Sequence, residues 1–425
     1  MASRIRYQLI GQQQPAPFWT LAAVAAVVVL AGLAAAAYMA TVGHHITGMN
    51  NQVVWGVPHV FAVTLILAAS GALNVASVGS VFGRVDHKPL ARLSGVLAVA
   101  LLIGGLTVLV LDLGRPDRLI VAMTHYNLRS IFAWNILLYT GFLAIVAVYL
   151  WTLMEPRMRV HSTKAGTVAF AWRIILTTGT GSIFGFLLAR EAYGGAIMAP
   201  LFIAASLAYG TAAFSLLFLA VMRSQGRRAP EQLLSGISGM MGVFVMAVLL
   251  LLAIHFLTLL YTPGRHDVVR FLLLEGGSIP ATLWLGKVVI GGIVPAVLLF
   301  HGATRRRAGA LAAASIMVLI GGFAHVFVMI VGAQSYPLQL FPGREVSGAV
   351  FDGRAASYTP TAPELLLGLG GIALVVLIAM IALRFLALTP KHLPDEPVDE
   401  PVAAEPSAED ESGGGEEPAP AASHG

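Results

Sequence analysis

The sequence predicts an all-α polytopic membrane protein with about ten transmembrane helices. Hydrophobic residues make up 57% of the 425 residues and charged residues only 11%, whereas an average soluble domain has about 25% charged residues. Ten apolar runs reach or exceed the roughly 18 residues that cross a hydrocarbon core as a helix. With a mean hydropathy of +0.81, this protein cannot be a soluble globule. Its expected surroundings are the lipid bilayer, with no nucleic-acid partner.

The apolar runs divide the chain into three predicted parts: an N-terminal cytoplasmic segment at 1–17, a transmembrane domain at 18–388 and a tail at 389–425. The first run is longer than the roughly 7–15 residues of a signal-peptide core, so we expect it to remain as a helix. The ten predicted spans are 18–42, 55–82, 91–113, 129–152, 166–189, 194–222, 235–261, 278–302, 308–333 and 363–388.

Charge is distributed unevenly between the tail and the rest of the chain. The formal total is +5, and the tail contributes −9 from ten acidic residues and one lysine, which leaves +14 for the rest. A tail of Pro, Glu, Ala, Ser and Gly cannot bury enough apolar area to fold. We therefore predict a disordered acidic tail, with a regulatory docking role as the alternative.

The loops between the spans predict the orientation. Sixteen Lys and Arg residues fall on the side that holds both termini, and eight fall on the opposite side. Because cytoplasmic loops carry the excess of Lys and Arg, we predict a multi-pass protein of the bacterial inner membrane with both termini in the cytoplasm.

A short internal repeat predicts how the helices are grouped. The motif GRPD at 114–117 recurs as GRHD at 264–267, an offset of 150 residues, and both copies follow a span that exits outward. The same offset superimposes the fourth span on the eighth. We therefore predict two parallel four-helix units, spans 2–5 and 6–9, with two flanking helices. A chance match of four residues is the alternative.

The absence of cysteine limits the redox chemistry of this protein. It has no cysteine, which excludes disulfides, thiolate-bound iron–sulfur clusters and covalently attached haem. Any such centres that exchange electrons with it must belong to partner proteins.

Polar residues cluster at one predicted depth near the outer boundary. At 1.5 Å per helical residue, most of these polar residues lie within about 10 Å of that boundary. Ionisable groups buried in a membrane usually face a cavity or a partner. Five lie in or at the ends of spans, and four lie in the loop after the third span. They are His59, Asp112, Asn135, His255, His325, Arg115, His125, Tyr126 and Asn127.

A shared depth is what a lipid-soluble redox ligand requires. A quinone headgroup needs hydrogen-bond donors at its carbonyls, a proton acceptor when the quinol is oxidised, and an apolar slot for its tail. Histidine and aspartate suit proton transfer because their surroundings can set their pKa values near ambient pH. Asp112 and the turn after it are thus predicted to form the polar end of a membrane pocket.

Each of these residues also has a simpler interpretation. A buried histidine such as His255 or His325 can serve only as a hydrogen-bond partner between helices, and Asp112 can pair with Arg115 or Arg118. His255 and His325 also meet the loose criterion for two axial ligands of a b-type haem. Lys287 and Arg173 lie off the main layer and belong either to a proton path or to structural pairs.

Three motifs resemble the NrfD/PsrC family of quinone-interacting membrane subunits. They are Trp55-Gly56 at the start of span 2, LDLGRPDR at 111–118 and HYNLRSIFAWN at 125–135. Within that family, ASGALNVASVGSVFGR (69–84), KPLARLSG (88–95), DLGRPDRLIVAMTHYN (112–127) and SYTPTAPELLLGLGG (357–371) are most similar to the DsrP branch, which is associated with dissimilatory sulfite reductase.

The resemblance implies an electron-transfer subunit of a respiratory or sulfur-metabolism complex. It implies a menaquinone or ubiquinone site facing the periplasm, no redox metal in this protein, and a periplasmic ferredoxin-like iron–sulfur partner. A multihaem cytochrome c and a second membrane subunit with haem would complete the complex. The alternatives are a secondary transporter and a passive membrane anchor.

The resemblance also assigns roles to the polar layer. Asp112 and His59 would handle protons as the catalytic pair. Arg115, His125, Tyr126 and Asn127 would position the quinone headgroup or the docked subunit. Asn135, His255 and His325 complete the predicted quinone-binding set, and no metal site is predicted.

Overall fold

The computed structural model describes residues 7–9, 16–81, 85–337 and 355–393. Among these residues, nine helices are long and apolar enough to cross a membrane. A tenth helix, Ser162–Phe186, has sufficient length but a lower hydropathy, because it includes Lys164, Arg173 and the run TTGTGS. The all-α polytopic fold is confirmed. The predicted tail beyond residue 393 lies outside the described residues.

The ten long helices begin and end within a few residues of the predicted spans in most cases. Proline at the first turn of the second and tenth helices fits its preference for helix starts. The helices are α1 (Ala16–Val42), α2 (Val57–Ala72, continued by Asn74–Ser80), α3 (Ala91–Leu111), α4 (Ile131–Met154), α5 (Ser162–Phe186), α6 (Met198–Ser224), α7 (Glu231–Tyr261), α8 (Ser278–Phe300), α9 (Ala308–Ser335) and α10 (Ala362–Phe385).

Short segments join the long helices. Strands β1 (Tyr7–Gln8) and β2 (Thr389–Pro390) pair antiparallel, with Tyr7 opposite Pro390. Short helical turns occupy His44–Ile46, Val85–Leu90, Pro116–Arg118, Leu119–Thr124, Pro156–His161, His266–Arg270 and Phe271–Glu275.

The helices form two rings of four with the same pairing order. Helix α2 packs on α3, α3 on α4, α4 on α5, and α5 back on α2, while α6, α7, α8 and α9 repeat this cycle. Contacts of α6 with α2 and α5 join the two rings, and α1 pairs with α10 along the flank. The packing therefore places α2–α5 in one group and α6–α9 in another.

The two rings meet where α2 crosses α6 at a pair of glycines. A Cβ atom added to Gly71 would lie 1.6 Å from the carbonyl oxygen of Ser206, and one added to Gly210 would lie 2.0 Å from the carbonyl carbon of Gly71. Only glycine permits this approach, as at other close helix crossings in membranes. Nearby, the buried Arg173 of α5 donates to Asn74 Oδ1 and to the Ser70 carbonyl, so Arg173 is structurally paired with α2.

Candidate functional site

A histidine and an aspartate from neighbouring helices meet at one end of the first ring. His59 Nδ1 lies 2.7 Å from Asp112 Oδ2, and the aspartate side chain is fully buried while 17% of the histidine side chain is exposed. The distance fits an ion pair, although the approach is not linear enough for a hydrogen bond. The Oδ1 atom of Asp112 has no hydrogen-bond partner among the described residues.

The ends of two helices place this pair. His59 lies in the first turn of α2, and Asp112 is the residue that caps the C-terminus of α3. Because α2 and α3 run antiparallel and pack together, the start of one lies beside the end of the other. The main chain of Asp112 is also held, since His44 Nε2 donates to its carbonyl oxygen at 3.1 Å.

A cleft of about 420 Å³ opens beside the pair, within the size range of small-molecule sites. His59 forms part of its wall, whereas Asp112 lies behind His59 and does not line the cleft. Most of the lining is apolar. The lining residues are Trp55, His59, Leu106, Leu109, Val110, Leu113, Leu119, Met123, Phe132, Asn135, Ile136, Tyr139, Thr140, Ile183, Phe184 and Ile330.

Aromatic rings surround the histidine at the head of the cleft. The Trp55 ring stacks on His59, with ring centroids 5.8 Å apart and planes 20° apart. Trp55 also meets Phe132 and Phe184 edge to face, at 6.2 and 6.1 Å. These walls offer flat apolar faces to a planar ring, and edge-to-face packing fixes the Trp55 orientation.

Asn135 lines the cleft, but its amide is already committed. The Nδ2 group donates to the Ile131 and Gly179 carbonyls at 2.9 and 3.1 Å, and Oδ1 accepts from the Thr180 hydroxyl at 3.3 Å. Tyr139 contacts the same Thr180 hydroxyl at 3.3 Å. Asn135 therefore joins α4 to α5 and shapes the wall, and only its oxygen has a lone pair left for a ligand.

A buried glutamine from α9 holds the segment that carries Trp55. Gln334 Oε1 accepts from the main-chain N–H groups of Val54 and Trp55, and Nε2 donates to the Trp55 carbonyl at 3.0 Å. Arg190, after α5, donates to the carbonyls of Gln52 and Gln334, and burial lowers its pKa. Residue pattern alone did not reveal Gln334, because its partners lie about 280 positions away in the sequence.

A second set of buried hydrogen bonds holds the start of α2. The Tyr358 hydroxyl accepts from the Val57 N–H at 2.7 Å and donates to Glu364 Oε1 at 2.6 Å. Glu364, at the start of α10, also accepts from the Gly48 and Thr361 N–H groups. Burial and the adjacent carboxylate raise the pKa of Tyr358. The sequence signal was the motif SYTPTAPELL, where Thr361 and Glu364 have the T-x-x-E spacing of a capping box.

Four predicted site residues lie outside the cleft. Arg115 forms an exposed ion pair with Asp117 at 3.0 Å, so the alternative that Asp112 pairs with Arg115 is wrong. His125, Tyr126 and Asn127 are exposed and do not line the cleft. The part of this loop that does line it is apolar, namely Leu113, Leu119 and Met123. A role of the exposed residues in subunit docking stays a prediction.

His255 and His325 belong to a different cluster, inside the second ring. His325 Nδ1 lies 2.9 Å from the Tyr209 hydroxyl, and Lys287 Nζ lies 5.6 Å from the centre of the Tyr209 ring. All four side chains are buried. The expectation of one cavity for the whole polar layer is therefore wrong, because a shared depth does not specify which helices are neighbours.

The two histidines do not fit a haem. The void that both line has a volume of about 10 Å³, room for at most one water molecule, and His325 Nδ1 is already paired with Tyr209. Opening a slot for a porphyrin would require moving α7 from α9. No group of three or more metal-ligating side chains occurs within the described ranges.

Comparison with known proteins places this geometry in a family. Residues 45–337 match the family described as "Polysulphide reductase, NrfD". The protein is 28% identical over 381 residues to the "Hdr-like menaquinol oxidoreductase integral membrane subunit" of Archaeoglobus fulgidus, covering 88% of this sequence and 96% of that relative. It is 26% identical to the C membrane subunit of a putative dimethyl sulfoxide reductase of Halobacterium salinarum, covering 86% and 90%. It is 25% identical to the C chain of the polysulfide reductase of Wolinella succinogenes, covering 67% and 96%.

Proposed function

Because this chain belongs to the polysulphide reductase NrfD family of membrane proteins, we propose that it is the quinone-reactive subunit of an oxidoreductase complex. The observation that carries the proposal is the His59–Asp112 pair at the head of an apolar cleft. The names of two relatives support this proposal, since one is a menaquinol oxidoreductase subunit and the other belongs to a polysulfide reductase.

The pair supplies a proton acceptor where a quinol hydroxyl would lie. With Nδ1 of His59 turned to Asp112, the Nε2 atom is left to accept the hydroxyl proton. The adjacent buried carboxylate would interact favourably with the positive charge that forms on the ring when the proton is transferred. Oxidation of one quinol releases two protons and two electrons. His59, whose side chain is 17% exposed, would take the protons one after the other and pass each to solvent, while the two electrons would go to the iron–sulfur partner.

The cleft suits the rest of such a molecule. Trp55 and Phe132 offer aromatic faces for the ring, and Leu106, Leu109 and Ile136 line a path for an isoprenoid tail. Burial of apolar surface supplies most of the binding free energy in sites of this kind. The single imidazole would then set the orientation of the headgroup.

The electrons must leave to a partner, because a protein without cysteine cannot ligate an iron–sulfur cluster through thiolates. We propose a ferredoxin-like iron–sulfur subunit docked at the end of the bundle that carries the exposed loop 113–130. By the orientation that the Lys and Arg distribution predicts, this end faces the periplasm. We also propose that a multihaem cytochrome c and a second membrane subunit with haem belong to the same complex. The assignment of this protein to the DsrP branch is likewise a proposal.

Binding of a redox-inert quinol analogue to the purified protein tests the site. Ile136 lines the cleft, and Ile136→Trp would fill it. We expect the dissociation constant of the analogue to rise at least 30-fold, because the added indole ring occupies part of the cleft that the analogue must fill. Titration of a hydroxyquinoline N-oxide, followed by the quenching of its own fluorescence, gives the constant.

The matched control is Val148→Trp, on the same helix but with 53% of the residue exposed. This variant should bind the analogue as the parent protein does. Equal affinity of the parent protein and Ile136→Trp would mean that the analogue binds elsewhere. No binding by the parent protein would favour a passive anchor.

A further inference from the structure

A second large cleft lies at the opposite end of the bundle from the His59–Asp112 pair. Its volume is about 870 Å³, and it separates the start of α7 from the loop between α8 and α9. Nine residues line it, and three of them are arginines. They are Arg228, Ala229, Pro230, Glu231, Gln232, Ser235, Gly236, Arg305 and Arg306.

The positive charge of this cleft is only partly compensated. Among the described residues, Glu231 is the one acidic residue that lines the cleft. It lies 3.9 Å from Arg306, and both side chains are largely exposed, so this ion pair contributes little to stability. Arg305 donates to the Ser235 carbonyl at 3.3 Å, and its Nε atom has no partner in the described part of the chain. The uncapped start of α7 adds the partial positive charge of a helix N-terminus.

The C-terminal end of the described chain lies at the edge of this cleft. After α10 the chain forms strand β2, where the Thr389 hydroxyl accepts from Gln225 Nε2 at 3.1 Å. The Pro390 carbonyl accepts from the Arg227 guanidinium at 2.7 Å. Arg227 immediately precedes Arg228 of the cleft. The last described residue, Leu393, is three positions beyond Pro390.

We propose that residues 394–425 bind in this basic cleft, with their carboxylates paired to its arginines. This segment holds ten acidic residues and no lysine or arginine. Its first acidic residue, Asp395, is five positions after Pro390, within about 18 Å of extended chain. Because the segment is tethered at the rim, its local concentration is in the millimolar range, so pairs that are individually weak suffice.

Residues 394–425 are favoured over an anionic lipid as the occupant because the residues just before them, Thr389 and Pro390, are held beside the cleft by hydrogen bonds. They are also present at a fixed ratio of one to one. Bound in the cleft, they would exclude other polyanions from this face of the protein. The proposal is independent of the quinone site, because the two clefts share no lining residue.

Chemical labelling of a single cysteine tests the proposal, since the protein has no cysteine of its own. Gln232 is exposed and lines the cleft, so Gln232→Cys reports on its occupancy. In nanodiscs of zwitterionic lipid, we expect a neutral maleimide to react at least three times faster after truncation behind Leu393. Raising the salt from 0.15 to 1 M should accelerate the full-length protein similarly, because ion pairs are screened.

Two further variants make the outcome specific. Changing the ten acidic residues to Asn and Gln at constant length should reproduce the truncation, which separates charge from bulk. Thr163→Cys, beside the other basic residues Arg159 and Lys164, should react equally fast with and without the tail.

Three results would overturn the proposal. The first is a Gln232→Cys rate that truncation leaves unchanged. The second is equal protection of Thr163→Cys, which would mean a diffuse charge effect rather than a bound segment. The third is protection of Gln232→Cys that requires anionic lipid and persists without the tail, which would assign the cleft to a lipid headgroup.

Discussion

Replacing Asp112 with asparagine is expected to lower quinol-dependent electron transfer by the intact complex at least 100-fold. Asparagine has nearly the same volume, so the packing around this fully buried side chain should survive. It cannot carry the negative charge beside His59, and positioned proton transfer typically contributes about 10²- to 10⁴-fold. Because Asp112 does not line the cleft, we expect the loss in kcat, with KM for quinol changed less than threefold.

The control is Glu231→Gln, at the opposite end of the bundle from Asp112. Glu231 is exposed and lies 3.9 Å from Arg306 at the surface, and exposed ion pairs contribute little to stability. This variant should turn over like the parent. Co-purification of the partner subunits must be unchanged in both variants, and a normal kcat in Asp112→Asn would remove Asp112 from the chemistry.

His59→Gln should have the larger effect on kcat/KM, with a loss of about 10³-fold or more. His59 both lines the cleft and contacts Asp112, so the substitution removes the proton acceptor and a ligand contact together. It also removes the imidazole that lies 2.7 Å from the buried Asp112 carboxylate, and loss of such a buried polar partner is costly. We therefore expect kcat to fall and KM to rise, in contrast to Asp112→Asn.

His45→Gln serves as the matched control, because His45 is exposed near the same end of the bundle and does not line the cleft. Steady-state turnover over a range of quinol concentrations separates kcat from KM in each variant. A His59→Gln protein that changes only KM would indicate that His59 binds the headgroup without accepting its proton.

Sequence reasoning predicted the helices well because hydrophobic runs of membrane length leave few alternatives. It also placed His59 and Asp112 at the same end of adjacent helices, and the structure brings them to 2.7 Å. Antiparallel neighbours joined by a short connection must pair the start of one helix with the end of the other. For His59 and Asp112, predicted depth and chain order together were sufficient to predict that the two residues are neighbours.

The same reasoning failed for His255 and His325. They share the depth of His59, yet they lie in the second ring against Tyr209. Depth specifies a height along the bundle axis and says nothing about position around the axis. The packing of α6 against α7 and α9 places His255 and His325 in the second ring.

Sequence reasoning missed the residues that hold the segment in front of α2 for another reason. Gln334, Tyr358 and Glu364 act on Trp55, Val57 and Gly48 across 279 to 316 positions of sequence. No local pattern encodes such a distant contact. The T-x-x-E spacing of Thr361 and Glu364 is typical of a helix start, but it does not reveal that the same carboxylate holds the segment in front of α2.

Labelling with a photoreactive quinone most directly tests whether the ring binds against His59. After illumination of the intact complex and digestion, mass spectrometry identifies the modified peptide. We expect a label within residues 55–59 or 106–136, which a redox-inert quinol analogue prevents. A competable label confined to 255–329, around His255 and His325, would contradict it and assign quinone chemistry to the second ring.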